Sequence, residues 1–173
     1  MGCRAYRTLN GIGFAAALLS FTRWPAGAQT LRDRAEQDTT AKVRTDDIHM
    51  EEAYRKARET LPEFLRLARA PRPTITSYAV KIGIPHSEGR EFFWMSPLEF
   101  RTDDIIGRIN NTPQFVTSVK AGQRIIFKEK DIVDWLYREN GRMHGNFTAC
   151  ALARREPPRE ARAFMLKYGL ICD

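Results

Sequence analysis

The sequence predicts an α+β fold in which N-terminal helical segments pack on a curved antiparallel sheet of about six or seven short strands, followed by a C-terminal helix. Apolar residues recur at helical spacing between Met50 and Ala68, and then at every second residue from Tyr78 to Ile84. Short apolar runs separated by turn-forming residues continue beyond this point. Short strands joined by tight turns are typical of an antiparallel meander, which we expect to curl toward a barrel.

Residues 1–28 have the order of a secretory signal peptide. Two arginines precede an apolar run of eleven residues, and Ala26-Gly27-Ala28 forms a small-x-small cleavage signal before Gln29. The run is shorter than the about 20 apolar residues that a membrane-spanning helix needs. We therefore expect a secreted protein with no transmembrane segment after cleavage. An uncleaved membrane anchor is the alternative.

Charge and cysteine content change once this segment is removed. Cleavage takes away three arginines and no acid, which lowers the formal net charge from +7 to +4. The remaining basic residues are mixed with acids and do not alternate with aromatic residues, so we expect no nucleic-acid partner. Cys150 and Cys172 are left as an even pair in an oxidising compartment, which favours a disulfide over two buried free thiols.

Helical patterns account for the first part of the mature chain. Residues 29–47 are charged and carry few large apolar side chains, which indicates a flexible leader. Asp46 and Asp47 open a helix with a charged outer face. The sequence Thr60-Leu61-Pro62-Glu63 has the form of a capping box with proline in the first turn, so a second helix or a kinked continuation runs to Ala68.

The sheet is expected to follow as a series of short antiparallel strands. The predicted strands cover residues 78–84, 91–100, 105–109, 115–119, 124–127, 131–138 and 145–152. Pro97 predicts a bulge or an edge position. Residues 131–138 would also suit a helix, but the hairpin signal Asn140-Gly141 favours a strand.

A C-terminal helix is predicted from Glu156-Pro157-Pro158 to Gly169, after which the chain returns Cys172 toward Cys150. The chain is thus divided into a signal peptide at 1–28, a leader at 29–47, an α+β domain at 48–155, and a helix with a disulfide-tethered tail at 156–173.

The candidate site lies around the Asn140-Gly141 turn. Asp134 either caps a turn through backbone amides, the interpretation we favour, or accepts a hydrogen bond from a ligand beside the flat wall of Trp135. As strand residues, Trp135 would join the core with Val133, and Asp134 would point away from it with Leu136.

Polar residues on the predicted return strand would complete this site. His144, Asn146 and Thr148 share one face of that strand, where one of them would pair with Asp134 across the turn. The candidate ligand-binding residues are Asp134, His144, Asn146, Thr148 and Asn110, and structural roles are expected for Trp94, Trp135, Pro113 and Gly145. The sequence contains none of the common catalytic, phosphate-binding or calcium-binding motifs, and its three histidines are isolated, so we expect neither a metal nor a cofactor.

Between Met50 and about Leu152 the chain resembles the YegJ-like bacterial domain of unknown function. The matching segments are residues 57–64, 80–82, 91–94, 107–113, 132–135, and Gly141 with 145–148. The resemblance implies a compact α+β domain that is often exported, carries no established activity, and leaves the C-terminal helix outside the family pattern.

Together with this resemblance, these observations favour a secreted, periplasmic domain that binds a protein partner or a small ligand and is not an enzyme. The alternative is a small hydrolase-like enzyme that uses Asp134 and His144, which must then lie within hydrogen-bond reach. A third possibility is a structural or immunity-type protein that acts through its whole surface.

Overall fold

The computed structural model describes residues 47–172, so the predicted signal peptide and nearly all of the predicted leader lie outside the described residues. The elements follow in the order α1 (Ile48–Arg69), β1 (Ile75–His86), β2 (Gly89–Phe100), β3 (Ile105–Ile109), β4 (Arg124–Phe127), β5 (Ile132–Glu139), β6 (Arg142–Gly145), α2 (Phe147–Ala153) and α3 (Pro158–Tyr168). This arrangement confirms the predicted α+β class.

Helix α1 is a single helix of 22 residues. The Asp47 carboxylate caps it by accepting hydrogen bonds from the backbone N–H groups of His49 and Met50, at 2.9 and 3.2 Å. The helix continues through Pro62, so the predicted continuation is correct and the capping box is not. The Thr60 hydroxyl instead donates to the Lys56 carbonyl one turn earlier, at 2.6 Å.

The six strands form one open antiparallel sheet in the order β4-β3-β2-β1-β5-β6. The sheet is open and does not close into a barrel, since β4 and β6 at its two ends do not pair with each other. The outer side of β6 is occupied by the C-terminal tail, because Met143 forms a parallel bridge with Leu170. In that bridge Met143 N–H donates to the Gly169 carbonyl, and Ile171 N–H donates to the Met143 carbonyl, at 2.7 and 3.1 Å.

The predicted irregularity at Pro97 is confirmed. Three residue steps from Met95 to Leu98 on β2 match two steps from Ile109 to Gly107 on β3, which is a bulge that contains Pro97. The predicted strand at 131–138 is confirmed as β5, and the predicted C-terminal helix is confirmed as α3, with Gly169 left-handed at its end.

Two predicted strands are wrong. Residues 115–119 form no strand, because the buried Glu91 carboxylate binds the backbone N–H groups of Gln114, Phe115 and Val116, at 2.7, 3.0 and 2.8 Å. Residues 145–152 end β6 and then turn into α2. Their backbone N–H groups at 147 and 148 are bound by Asp134, so they begin a helix.

The main core lies between α1 and the sheet. Phe64 of α1 stacks on Trp135 of β5, with ring centroids 5.0 Å apart. The Trp135 Nε1–H donates to the carbonyl of Ala57 at 3.0 Å, so the ring is buried and hydrogen-bonded under α1. A second apolar cluster joins Phe164 of α3 to Cys150 and Met143. No helix within residues 47–172 is long and apolar enough to cross a membrane.

Candidate functional site

Asp134 lies at the centre of a buried hydrogen-bond network and does not point outward, as the strand phase had predicted. Its side chain is completely buried. Its carboxylate accepts hydrogen bonds from the backbone N–H groups of Trp135, Phe147 and Thr148, at 2.9, 3.2 and 2.9 Å. It also accepts one from the Thr148 hydroxyl, at 2.6 Å. Asp134 thus caps the first turn of α2 from a neighbouring strand.

Lys81 completes this network from strand β1. It stands directly opposite Asp134 on one side and Trp94 on the other. Its ammonium group donates to the Thr148 hydroxyl and lies 4.5 Å from the centroid of the Trp94 ring, a cation–π contact. Because side chains alternate along a strand, Lys81, Asp134 and Trp94 occupy the sheet face opposite to Trp135.

Burial shifts the pKa of both members of this charge pair. It raises the pKa of Asp134, against the opposing effects of the Lys81 charge and the hydrogen bonds from Thr148. It lowers the pKa of Lys81, against the opposing charge of Asp134. A charge pair enclosed in this way, with its hydrogen-bonding capacity used by the fold, anchors α2 to the sheet.

Asp134 and His144 do not form the pair that the hydrolase interpretation requires. His144 stands opposite Tyr137, which is three residues along β5 from Asp134. Three strand residues span roughly 10 Å, and an odd separation places the side chains on opposite faces of the sheet. The predicted Asp–His pair is therefore wrong.

The other predicted residues lie in separate environments. Thr148 is buried in α2 and bound to Asp134. Asn146 has a left-handed backbone at the start of α2, and its Nδ2 donates to the Met143 sulfur at 3.3 Å. Asn110 is exposed, and its backbone N–H donates to the Trp94 carbonyl at 2.8 Å. The predicted common face of His144, Asn146 and Thr148 is therefore absent.

The residues predicted to be structural are closely involved in the fold. Trp94 carries the Lys81 contact, Pro113 is partly buried, and Trp135 is 7% exposed. Gly145 has a φ of +75°, and a Cβ atom there would lie 2.3 Å from the carbonyl oxygen of Trp135. Only glycine fits this conformation and this contact.

Asn111, which sequence reasoning did not select, is buried beside the exposed Asn110. Its side-chain oxygen accepts from the backbone N–H of Trp94 at 2.9 Å, and its amide donates to the Phe92 carbonyl at 3.4 Å. Together with Glu91, it holds the irregular segment before β4 against β2. Both residues lie in segments that carry the family resemblance, 91–94 and 107–113, but no local pattern indicated that they would be buried.

A cleft of about 180 Å³ opens on the other side of β5 and β6. Four parts of the chain line it: α1, the β5–β6 hairpin, α2 and the C-terminal tail. The lining residues used below are His49, Glu52, Lys56, Tyr137, His144 and Arg154. Of the predicted ligand-binding residues, His144 lines this cleft, and the other four are not among its lining residues.

One wall of the cleft is aromatic. The Tyr137 and His144 rings are stacked, 4.6 Å apart and 7° from parallel. Trp135 continues the series, with its ring centroid 6.0 Å from that of Tyr137 and only 5° between the planes. Together with Phe64, these rings form a nearly parallel column that ends at the half-buried His144. Burial, and then the charge of Glu139, raise the pKa of the Tyr137 hydroxyl.

The rim of the cleft is polar. Along α1, His49, Glu52 and Lys56 follow one another at spacings of three and four residues, which places them on one helix face. Arg154, just after α2, lies 3.4 Å from Glu52 in a partly exposed ion pair. Glu52 and Arg154 are 102 residues apart in the chain, so no sequence spacing could indicate that these charges converge.

The far wall contains the predicted disulfide, which is confirmed. Cys150 of α2 and Cys172 of the tail are joined, with Cα atoms 5.5 Å apart, and both line the cleft. Within residues 47–172, no group of three or more histidine, cysteine, aspartate or glutamate side chains could hold a metal ion.

Known proteins resemble this chain over most of the described region. Residues 47–171 match the sequence profile of a family described as "Uncharacterized protein conserved in bacteria (DUF2314)". This match includes α3, which the resemblance seen in the sequence had placed outside the family pattern. The chain is 30% identical over 124 residues to the uncharacterised protein YegJ of Escherichia coli K12, covering 72% of this chain and 80% of that protein.

A shorter similarity joins the chain to a putative ankyrin repeat protein of Neisseria meningitidis serogroup B. The two are 34% identical over 80 residues, which cover 46% of this chain and 32% of that protein. No solved structure matches the chain.

Proposed function

The chain belongs to the DUF2314 family of uncharacterised bacterial proteins, and we propose that it is an exported binding module that holds a small molecule in the cleft between α1, the β5–β6 hairpin, α2 and the C-terminal tail. The observation that carries this proposal is the composition of that cleft. It combines an aromatic wall with a few converging polar side chains, which is the usual make-up of a small-molecule site.

Rigidity supports the same proposal. The aromatic wall belongs to the central hairpin, and α2 is fixed to the sheet by Asp134 and to the tail by the disulfide. A cleft whose walls are already held in place costs little ordering entropy when a ligand enters. The geometry does not support the hydrolase alternative, because Asp134 and His144 face opposite sides of the sheet.

A fragment screen by protein-observed NMR tests the binding function. We expect small molecules to shift the amide signals of Gly145, Ala151 and other cleft residues, and we expect His144→Ala to weaken these hits. His86→Ala is the matched control, because His86 also stacks on an aromatic ring, that of Phe115, with 5.5 Å between centroids. His86 does not line the cleft. Hits that cluster elsewhere, or that survive His144→Ala unchanged, contradict the proposal.

Export is the second part of the proposal. It is supported by the signal-peptide pattern of residues 1–28 and by the Cys150–Cys172 disulfide, since disulfides persist mainly in oxidising compartments. Expression of the full chain in a bacterium should yield a periplasmic protein. Its measured mass should equal that of a chain that begins at Gln29. Alkylation without reductant should label neither cysteine. Retention of residues 1–28 would contradict cleavage of the signal peptide, and two labelled thiols would contradict the disulfide.

A further inference from the structure

We propose that the Cys150–Cys172 disulfide is a reversible redox site, at which exchange with a dithiol releases the C-terminal tail, residues 169–172, from the cleft. Three observations carry this inference: the place of the disulfide in the wall of the cleft, the contacts that hold the tail besides this bond, and the separate anchor of α2. The effect on ligand affinity rests on the proposed function, whereas the release of the tail does not.

The disulfide lies where a small reagent can reach it. Both cysteines line the cleft. Cys150 is 8% exposed, whereas Cys172, near the end of the chain, is only partly buried. A reagent in the cleft therefore reaches Cys172 more readily than Cys150. Because the rate of thiol–disulfide exchange depends on access to the sulfur that is attacked, this position allows exchange in the folded protein.

The exchange takes place in two steps. A thiolate of the dithiol attacks Sγ of Cys172, the disulfide bond breaks, and its electron pair leaves on Sγ of Cys150, which then takes a proton from water. The second thiolate of the reagent attacks the mixed disulfide, so that Sγ of Cys172 leaves as a thiolate and is protonated in the same way. Two electrons pass in total from the dithiol, which becomes a disulfide, to the protein, which gains two thiols.

The noncovalent contacts of the tail centre on one residue of β6. Met143 donates its backbone N–H to the Gly169 carbonyl and accepts from the Ile171 N–H, at 2.7 and 3.1 Å. Leu170, between them, is buried in the apolar cluster of Met143 and Phe164. Contacts of this kind, at a sheet edge and near a chain end, open locally without unfolding the rest of a protein.

Helix α3, which leads into the tail, adds little to this hold. In α3, all of which the structure describes, Phe164 is the one buried residue. Across the 22 residues from Cys150 to Cys172, a disulfide favours the closed state roughly 100-fold or more in the chain-entropy model. Loss of the disulfide therefore shifts α3 and the tail toward the open state.

Helix α2 keeps its place when the disulfide opens, because other contacts hold it. Asp134 binds the first backbone N–H groups of α2, and Ala151 packs against α1. Reduction therefore removes the wall that Ile171 and Cys172 supply and leaves the aromatic wall in place. A ligand that contacts the tail then binds the oxidised form more tightly than the reduced form.

Dithiothreitol, added to the protein purified with its disulfide intact, tests the exchange under native conditions. Alkylation followed by mass spectrometry counts the free thiols over time, and denaturant kinetics give the rate of global unfolding in the same buffer. We expect two thiols to appear at a rate proportional to the dithiothreitol concentration and about tenfold or more above the rate of global unfolding. A rate that levels off at that of global unfolding would overturn the redox site.

Amide exchange tests the release of the tail. In the reduced protein, exchange of the Met143 and Ile171 amides should accelerate about 100-fold or more. The Trp135 and Thr148 amides, which donate to Asp134, are the internal control and should keep their exchange rates. Met143 and Ile171 amides that stay protected after reduction would overturn the release of the tail.

A variant with both Cys150→Ser and Cys172→Ser separates the loss of the disulfide from the presence of the reagent. Its Met143 and Ile171 amides should exchange fast with or without dithiothreitol. Exchange that is slow in this variant until dithiothreitol is added would show an effect of the reagent and would overturn the inference.

Ligand affinity connects the redox site to the cleft. Ligands found by the fragment screen should bind the reduced protein about fivefold more weakly than the oxidised protein. Equal affinity for both forms would overturn control of the cleft by the disulfide. If the screen finds no cleft ligand, the proposed function fails, and the thiol count and the amide exchange still decide whether the disulfide is a redox site that releases the tail.

Discussion

The Thr148 hydroxyl lies 2.6 Å from Oδ2 of Asp134, and this contact joins the first turn of α2 to the middle of strand β5. The same hydroxyl accepts a hydrogen bond from the Lys81 ammonium group. Thr148 thus connects the charges of Asp134 and Lys81 to the start of α2, on the sheet face opposite to Trp135. The position of α2, which forms one wall of the cleft, depends on this connection.

Asp134→Ala should lower the free energy of unfolding by about 3–5 kcal/mol. It leaves the Lys81 charge without the opposite charge of Asp134, and it leaves the Thr148 hydroxyl and two helix N–H groups without their acceptor. Urea unfolding measures this loss. The control Asp103→Ala removes an exposed carboxylate and should change stability by no more than about 0.5 kcal/mol. A comparable small effect at Asp134 would show that the network does not anchor α2.

Stability should depend on pH through Asp134. Burial raises the pKa of its carboxyl above the ordinary value of 3.8. At a pH between the pKa values of the unfolded and folded states, the folded protein therefore binds more protons than the unfolded chain. The contribution of Asp134 to the free energy of unfolding then falls as pH rises. This stabilising contribution is fully present below pH 3.8 and is lost as the pH approaches the pKa of Asp134 in the folded protein.

Asp134→Asn isolates this effect, since it removes the titrating group and keeps its shape. As pH rises from about 3.5 to about 7, the parent protein should lose stability relative to Asp134→Asn. Urea unfolding across this range measures it. A constant difference, or one that moves in the parent's favour, contradicts the raised pKa.

Gly145→Ala should destabilise the protein far more than Gly122→Ala. Both glycines have positive φ, +75° and +79°, so both substitutions bear the left-handed cost of about 1–2 kcal/mol. At Gly145 the new Cβ would also lie 2.3 Å from the Trp135 carbonyl oxygen, whereas nothing lies within 4 Å at Gly122. We expect an additional loss of about 2 kcal/mol or more at Gly145, measured by thermal unfolding. Equal losses of stability in the two variants would contradict the expected clash between the new Cβ atom and the Trp135 carbonyl oxygen.

Glu91→Gln should release the segment after Pro113 without unfolding the sheet. The Glu91 carboxylate accepts three backbone N–H groups, and the variant replaces one acceptor oxygen by a donor that faces them. Amide exchange at Gln114 and Val116 should accelerate by an amount equivalent to about 2 kcal/mol or more. Glu88→Gln, in the exposed β1–β2 turn, is the control. Unchanged exchange at Gln114 and Val116 would contradict this role.

Local signals explain which elements could be predicted from the sequence. The Asn140-Gly141 turn marked the β5–β6 hairpin, and the proline pair with Gly169 marked α3 at its two ends. Helix α2 was missed because its capping group is not local. The side chain of Asn146 at its start makes no cap. Asp134 is the acceptor instead, and it lies 13 and 14 residues before the two N–H groups that it binds.

The candidate site was found only in part for the same reason. His144 was selected because it follows the hairpin turn, and it does line the cleft. His49 and Lys56 reach that cleft from α1, about 90 residues away, so no sequence spacing relates them to His144. The strand phase assigned Trp135 to the core correctly. The same strand alternation wrongly predicted that Asp134 faces solvent, because it contains no information on α2, which covers Asp134.

The bridge between Met143 and Leu170 has a consequence for self-association. An unpaired strand edge is a template on which another molecule can add a strand. The chain's own C-terminus occupies this edge on β6, through Gly169 and Ile171. Among the six described strands, β4 is then left as the outer edge, and Arg124 begins it while Lys128 follows it. Loss of the last few residues would expose the unpaired edge of β6, so we expect the truncated protein to aggregate more readily than the full chain.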